Sequence, residues 1–217
     1  MRIPFDAYDF FGYLASGLLL IVGMEVTLGF PHVLGRDLKA VDYAILTLAT
    51  YVAGQIIAAP AKALLEDVVV AKVLGRPSVN LLREKRPLVG RLLFPGFYKP
   101  LPDDRRRRIR EKAHAEGASA TGEALFLHVR YSPAVRDNGA LLTKLNSFLN
   151  KYGFARNLAF TCLVVSAALF VRAWIYPDPA LVKYAIAACV CGIALFYRYL
   201  KFFRQYSYEL FNTYAAE

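Results

Sequence analysis

The residues best suited to bind a charged ligand form a basic run near the middle of the chain. Five arginines fall within six positions, directly after two aspartates. They are Arg105, Arg106, Arg107, Arg108 and Arg110. Such a run has three interpretations: a solvated helix face, a contact with anionic lipid headgroups, or a site for a nucleotide or nucleic-acid strand. In the last case Phe97, Tyr98 and Tyr131 offer aromatic rings for base stacking.

Three further polar residues lie inside long apolar runs, where a charge is costly and is often functional. Glu25 and Arg172 are expected at similar depth, so the sequence predicts either a structural ion pair or pore-lining groups. Gln55 has two interpretations, a hydrogen bond between helices or a place on a polar path.

Motifs typical of enzymes are missing from the sequence. It contains no glycine-rich phosphate loop, no nucleophile elbow and no pair of histidines with zinc-ligand spacing. The three cysteines lie in apolar runs, where a thiol usually behaves as a small hydrophobe. We therefore expect no catalytic activity, metal site, disulfide or cofactor.

Four apolar runs approach the length of about 20 residues that a helix needs to cross a bilayer. They cover residues 10–30, 43–59, 158–176 and 180–200, and Pro31 is expected to end the first. Gly12 and Ser16 have the small-xxx-small spacing that allows close helix packing in lipid. The sequence predicts a protein embedded in the bilayer that assembles as a homo-oligomer.

Basic residues are concentrated between the second and third runs. Of the 27 lysines and arginines, 19 lie between positions 61 and 156. The positive-inside rule places this region, and with it both termini, in the cytoplasm. We expect an all-α membrane protein with four transmembrane helices and a helical cytoplasmic domain inserted between the second and third. The predicted parts are a first helix pair (1–60), the basic domain (61–156), a second pair (157–200) and an amphipathic cytoplasmic tail (201–217).

The basic domain has its own helix signals. After Pro60 we expect the helix to continue with an amphipathic pattern. Residues 87–102 mix proline, glycine and aromatic residues, so this segment is expected to form an interfacial loop. Acidic residues at 103 and 104 predict the start of a polar helix, which Gly117 closes. Ser132 predicts the start of a helix, which Gly153 ends. That helix and the tail each carry an apolar stripe that suits packing on other helices or on another subunit.

Two junctions connect the basic domain to the membrane, and both are predicted to act in gating. Pro60 removes one backbone hydrogen bond from its helix, so it marks either a hinge or a static kink. Arg156 lies at the second junction, just before the third span.

Several stretches resemble a family of small bacterial membrane proteins. Residues 5–14 read FDAYDFFGYL, residues 51–55 read YVAGQ, and residues 154–157 read FARN. They resemble membrane effectors encoded beside nucleotide-making enzymes in anti-phage systems, including the channel component of the Hailong system. Gln55 stands where relatives are expected to have histidine. The resemblance implies an oligomeric channel in the bacterial inner membrane, controlled by a nucleotide or oligonucleotide that a partner enzyme makes.

Two functions from different classes follow. The first is an oligomeric channel or membrane-disrupting effector gated by a cytoplasmic nucleotide or oligonucleotide. The second is a non-conducting membrane adaptor that recruits a cytoplasmic partner through the apolar stripes.

Overall fold

The computed structural model describes residues 7–29, 39–83, 88–119 and 122–216, and these residues contain helices and no β-strand. Four helical segments are long and apolar enough to cross a membrane: Phe10–Leu28, Ala40–Leu82, Gly139–Ile175 and Pro179–Ala216. This confirms the predicted all-helical class with four candidate spans. Pro31, where we predicted the end of the first span, lies outside the described residues, as do Phe5 and Asp6.

Nine α-helices and one π-helix are described. They are α1 (Ala7–Leu28), α2 (Ala40–Ala61), the π-helix (Lys62–Leu74), α3 (Pro77–Leu82), α4 (Leu88–Leu93), α5 (Asp103–Ala115), α6 (Gly122–Tyr131), α7 (Pro133–Arg136), α8 (Gly139–Ile175) and α9 (Pro179–Ala216). The chain divides into two compact units. Unit 1 comprises Met1–Val68 and Gly153–Tyr199, and unit 2 comprises Val69–Tyr152 and Leu200–Glu217. The chain passes between the units inside continuous helices.

In unit 1, α1 and α2 approach so closely that their glycines have no space for a side chain. A Cβ atom at Gly17 would overlap the carbonyl oxygen of Thr50, and one at Gly54 would overlap the carbonyl oxygen of Tyr13. Ser16 is fully buried beside this crossing. Small residues allow backbones to approach in this way, because packing rather than hydrophobic burial drives helix association in lipid.

The remaining helices of unit 1 join through similar contacts. Gly23 of α1 faces the side chain of Val165 in α8, and Gly192 of α9 faces Leu163. Between α8 and α9, the buried Ser166 hydroxyl donates a hydrogen bond to the carbonyl of Ala185 over 2.8 Å. At the start of α9, the Asp178 carboxylate accepts a hydrogen bond from the backbone N–H of Ala180 over 2.8 Å and caps the first turn of the helix.

Unit 2 has a separate apolar core, and the last part of α9 is included in it. Aromatic residues that the sequence placed on a tail stripe are almost fully enclosed by α3, α5, α6, α7 and the start of α8. The core comprises Leu81, Leu82, Leu101, Ile109, Ala113, Leu125, Val129, Val135, Leu141, Leu145, Tyr206, Leu210, Phe211 and Tyr214. Part of each predicted apolar stripe therefore packs within the chain itself, whereas Leu142 of the first stripe is 39% exposed.

The predicted polar helix is confirmed as α5. Asp103 and Asp104 lie in its first turn, where negative charge favours the positive end of the helix dipole. Gly117 has a φ of 69°, a left-handed conformation that glycine adopts without steric cost. The next residue, Ala118, donates its N–H to the carbonyl of Ala113 over 2.8 Å and closes the helix.

Three expectations for the middle region were wrong. Gly153 does not end a helix, since α8 runs through it from Gly139 to Ile175. One glycine costs a helix only about 1 kcal/mol, which the apolar flanks offset. Ser132 is the N-cap of a helix, as expected, but that helix is the four-residue α7, and the longer patterned helix begins at Gly139. The segment 87–102 contains α4, and its Phe97 and Tyr98 are only 5% and 4% exposed, so it is not an interfacial loop.

The glycine contact between α1 and α2 generates a stability prediction. Gly54→Ala should destabilise unit 1 by about 2 kcal/mol or more, because the new Cβ would force two backbones apart. Gly153→Ala is the matched control, since an added Cβ there meets nothing within 4 Å. It should raise stability by roughly 0.5 kcal/mol through helix propensity. Thermal unfolding of the purified protein in detergent measures both, and equal effects would contradict the proposed contact.

Candidate functional site

A stripe of polar side chains follows one face of α2 within unit 1. Tyr43, Thr47, Tyr51 and Gln55 recur every four residues, which places them on a slowly winding face of the helix. Three of them are exposed and Tyr51 is half-buried. We call these four residues the α2 polar stripe. It contains Gln55, which the sequence identified, together with three residues that the sequence analysis did not connect to it.

Local hydrogen bonds satisfy only part of the α2 polar stripe. The Thr47 hydroxyl donates to the carbonyl of Tyr43 over 2.8 Å. The Gln55 amide nitrogen donates to the Tyr51 hydroxyl over 3.1 Å, and the Tyr51 ring packs against Phe10 and Tyr13 of α1. An amide can make up to four hydrogen bonds, so Gln55 keeps unused donor and acceptor capacity on the exposed surface.

The other described helices of unit 1 have different exposed faces. Large apolar side chains dominate on α1, α8 and the middle of α9, as expected for surfaces that contact lipid tails. They include Phe11, Leu18, Met24, Phe170, Val171, Ile186, Val190 and Ile193. Helix α2 also exposes large apolar side chains, among them Ile45, Leu48 and Ile56, and the α2 polar stripe lies beside them. The four-residue spacing of hydroxyl and amide groups in an apolar run is the signal that predicts this stripe.

Arg172, a residue of α8, contacts the C-terminal end of α1. Its guanidinium donates a hydrogen bond to the carbonyl of Thr27 and lies 5.5 Å from the ring of Tyr176. The last carbonyls of a helix lack intrahelical partners and form the negative end of its dipole, so a cation is favourable there. Glu25 is half-buried one turn before the end of α1. The ion pair between Glu25 and Arg172 stays a prediction.

Both predicted gating residues lie in unit 1. Pro60 occupies the last turn of α2, and the backbone changes from α-helical to π-helical hydrogen bonding at Lys62. Proline leaves one carbonyl of the preceding turn without its usual donor, which accounts for a change of helix type at this position. The Arg156 guanidinium donates to the Glu66 carboxylate over 2.6 Å, and both side chains are mostly buried, at 13% and 19% exposure.

The five arginines of α5 divide into two groups in unit 2. Arg106 donates to the carbonyl of Arg83 over 3.0 Å and pairs with Asp103, and Arg110 donates to the carbonyl of Leu82 over 3.1 Å. These two side chains stabilise the C-terminal end of α3. Arg107 has a loose ion pair with Glu111 at 3.7 Å. Arg105 and Arg108 have no ion-pair partner in the described part of the chain.

The aromatic residues proposed for base stacking are mostly inaccessible. Phe97 and Tyr98 are buried, and the Tyr98 hydroxyl donates to the carbonyl of Leu74 over 2.8 Å. That burial raises the pKa of the Tyr98 phenol. Only Tyr131 of the three is exposed, with 71% of its surface open to solvent. The expectation that Phe97 or Tyr98 stacks on a base is therefore wrong.

A second polar cluster, which the sequence analysis missed, lies at the C-terminal end of α5. The Glu116 carboxylate is 2.6 Å from His128 Nε2 and accepts a hydrogen bond from the Tyr214 hydroxyl over 2.7 Å. These two hydrogen bonds, that of His128 first, hold the pKa of Glu116 below its ordinary value. The cluster joins three helices of unit 2, and nothing in the spacing of its residues predicts it.

Comparisons with protein-family models, curated proteins and solved structures find no match to this chain. The geometry of its own residues therefore carries the functional argument.

The division of the arginines predicts two kinds of variant. Replacing Arg106 and Arg110 by Gln should lower the stability of unit 2 by about 1–2 kcal/mol, because the α3 carbonyls lose charged donors. Replacing Arg105 and Arg108 by Gln should change stability by less than about 0.5 kcal/mol. Thermal unfolding of both double variants tests this division. A larger loss in the Arg105 and Arg108 variant would show that the assignment is reversed.

Proposed function

We propose that the protein is an oligomeric membrane channel in which the α2 polar stripe faces a water-filled path between subunits. The observation that carries this proposal is the exposure of Thr47 and Gln55 on a helix long and apolar enough to span a bilayer. In a single chain these groups would face lipid. In a ring of copies the same surfaces face one another around an axis.

Solvation energy favours the ring. A polar group moved from water to hydrocarbon without a hydrogen-bond partner costs roughly 2–7 kcal/mol, depending on the reference state. In a single chain, Gln55 would still bear part of this free-energy cost, because only one of its hydrogen bonds is made inside the described residues. Water in a pore, or a polar group on the next subunit, removes the rest.

Unit 2 supplies the regulatory part of the proposal. Its basic helix α5 presents Arg105, Arg107 and Arg108 to solvent or a ligand. The ligand class is a cytoplasmic nucleotide or oligonucleotide, made by a partner enzyme in bacterial anti-phage defence, as the sequence resemblance implies. The concentration of basic residues favours a cytoplasmic position for this unit and for both termini, in the bacterial inner membrane.

The connection between ligand and channel follows the continuous helices. The π-helix, α8 and α9 each run from one unit into the other. The buried pair of Glu66 and Arg156 joins two of these helices inside unit 1. Pro60, at the change of helix type, supplies a place where α2 bends without breaking further hydrogen bonds. A ligand on unit 2 would act on the channel through these elements.

The adaptor hypothesis has lost its main support. It required the apolar stripes of residues 141–152 and of the tail to be free for a partner. Leu141, Leu145, Phe211 and Tyr214 are at most 7% exposed and pack in the core of unit 2. A partner would have to bind to what remains exposed, such as Leu142, and the adaptor stays the alternative prediction.

Removing the polarity of the α2 polar stripe should reduce conductance. Gln55→Leu combined with Thr47→Val removes the exposed amide and the exposed threonine hydroxyl of the stripe, so ions lose two of the groups that replace their hydration. We expect at least a tenfold lower ion flux through proteoliposomes, with unchanged insertion and oligomeric state.

The control is Cys191→Val, a substitution of similar size at an exposed position of α9. Its ion flux should equal that of the unchanged protein. An unchanged flux in the Gln55 and Thr47 variant would show that α2 does not line the path. A protein that is monomeric in native-like membranes would contradict the whole proposal.

A further inference from the structure

Unit 2 contains an open cleft of about 610 Å³ that none of the sequence motifs identified. One wall is the segment that follows Tyr98, and the other is a turn of α9. The lining residues are Lys99, Pro100, Leu101, Pro102, Asp103, Arg204, Gln205 and Tyr208. We call this the Arg204 cleft.

The charges at the Arg204 cleft favour an anion. Lys99 and Arg204 contribute two positive charges, and Asp103 contributes one negative charge that is already paired with Arg106. The Gln205 amide is hydrogen-bonded to Glu209 at 3.2 Å. The two cations therefore remain as the groups whose charge nothing in the lining neutralises.

Arg204 is held in place before any ligand arrives. Its Nη2 donates to the backbone carbonyl of Lys99 over 2.7 Å, and its guanidinium lies 5.6 Å from the centre of the Tyr208 ring. A guanidinium has five N–H groups. Only one of them has an acceptor among the described residues, although the group is half-buried. A fixed guanidinium with unused donors loses little entropy when it binds an anion.

From these observations we infer that the Arg204 cleft binds a phosphate-bearing molecule. The planar guanidinium matches two phosphate oxygens, and the flexible Lys99 ammonium supplies a second charge. The cleft exceeds the size of phosphate itself, and Pro100, Pro102 and Tyr208 give apolar walls for an organic group. Two sources share this chemistry, a soluble phosphate ester and the headgroup of an anionic phospholipid.

This inference deepens the proposed function, because it gives the controlling ligand a second contact besides α5. Its link to gating rests on the proposed function, whereas binding itself does not. The experiment therefore measures binding and conductance separately.

Binding is measured by calorimetry on the full chain in detergent, with ATP as the soluble phosphate ester and inorganic phosphate for comparison. A second arm uses nanodiscs of phosphatidylglycerol or phosphatidylcholine and measures retained lipid by native mass spectrometry. Arg204→Gln should weaken binding of the accepted probe by about tenfold or more, the usual effect of losing one charged hydrogen bond. Binding of ATP identifies a soluble phosphate ester as the ligand, and retention of phosphatidylglycerol identifies a lipid headgroup.

Lys99→Gln provides an independent variant, because the Lys99 side chain is exposed and its removal leaves the fold intact. It should also weaken binding, by roughly threefold to tenfold. Lys201→Gln is the matched control, an exposed lysine one turn earlier on α9 and outside the cleft, and it should bind as before.

The inference is overturned if neither ATP nor phosphatidylglycerol binds, or if Lys99→Gln and Lys201→Gln have equal affinity. If the cleft variants lose binding while ion flux is unchanged in every condition, the site stands and its link to gating is wrong. If the unchanged protein binds the probe but never conducts, the site stands and the channel proposal fails.

Discussion

The close approach of α1 and α2 at Gly17 and Gly54 determines which face of α2 is left exposed. Gly54 is buried against the Tyr13 backbone, so its neighbour Gln55 turns to the outer surface. If α2 rotated, the glycine contact would be lost, because any other residue at that position overlaps a backbone carbonyl. Packing within one chain thus fixes the orientation of Gln55 in the α2 polar stripe, and the cost of polar groups in hydrocarbon is the physical basis of the proposed assembly.

The two units are stabilised by different kinds of contact. Unit 1 associates through glycine contacts and the Ser166 hydrogen bond, while unit 2 buries a core of leucines and aromatic rings. Helix α9 contributes to both, with an apolar lipid-compatible surface before Tyr199 and buried aromatic residues after it. Helix α9 is therefore continuous across the boundary between the two units.

Composition and periodicity predicted the spans and α5, since apolar length and acidic first turns are local signals. Gly153 was misjudged because a glycine stops a helix only when its flanks do not favour one. For the tail, two kinds of partner stayed open, because an apolar stripe shows that something covers it and does not show what. The partners of Arg106 and the Arg204 cleft join residues far apart in sequence, here Arg83 with Arg106 and Lys99 with Arg204, so only the folded chain brings them together.

The central claim is that the α2 polar stripe faces water inside an assembled membrane protein. It is tested most directly by single cysteines at Thr47, Gln55 and Val171 in a chain whose native cysteines are replaced, reacted with a charged thiol reagent in sealed liposomes. The account predicts rapid modification at Thr47→Cys and Gln55→Cys, which lie on α2, and little at Val171→Cys, which lies on the apolar face of α8. Equal protection at all three positions would place the stripe in lipid and contradict the account.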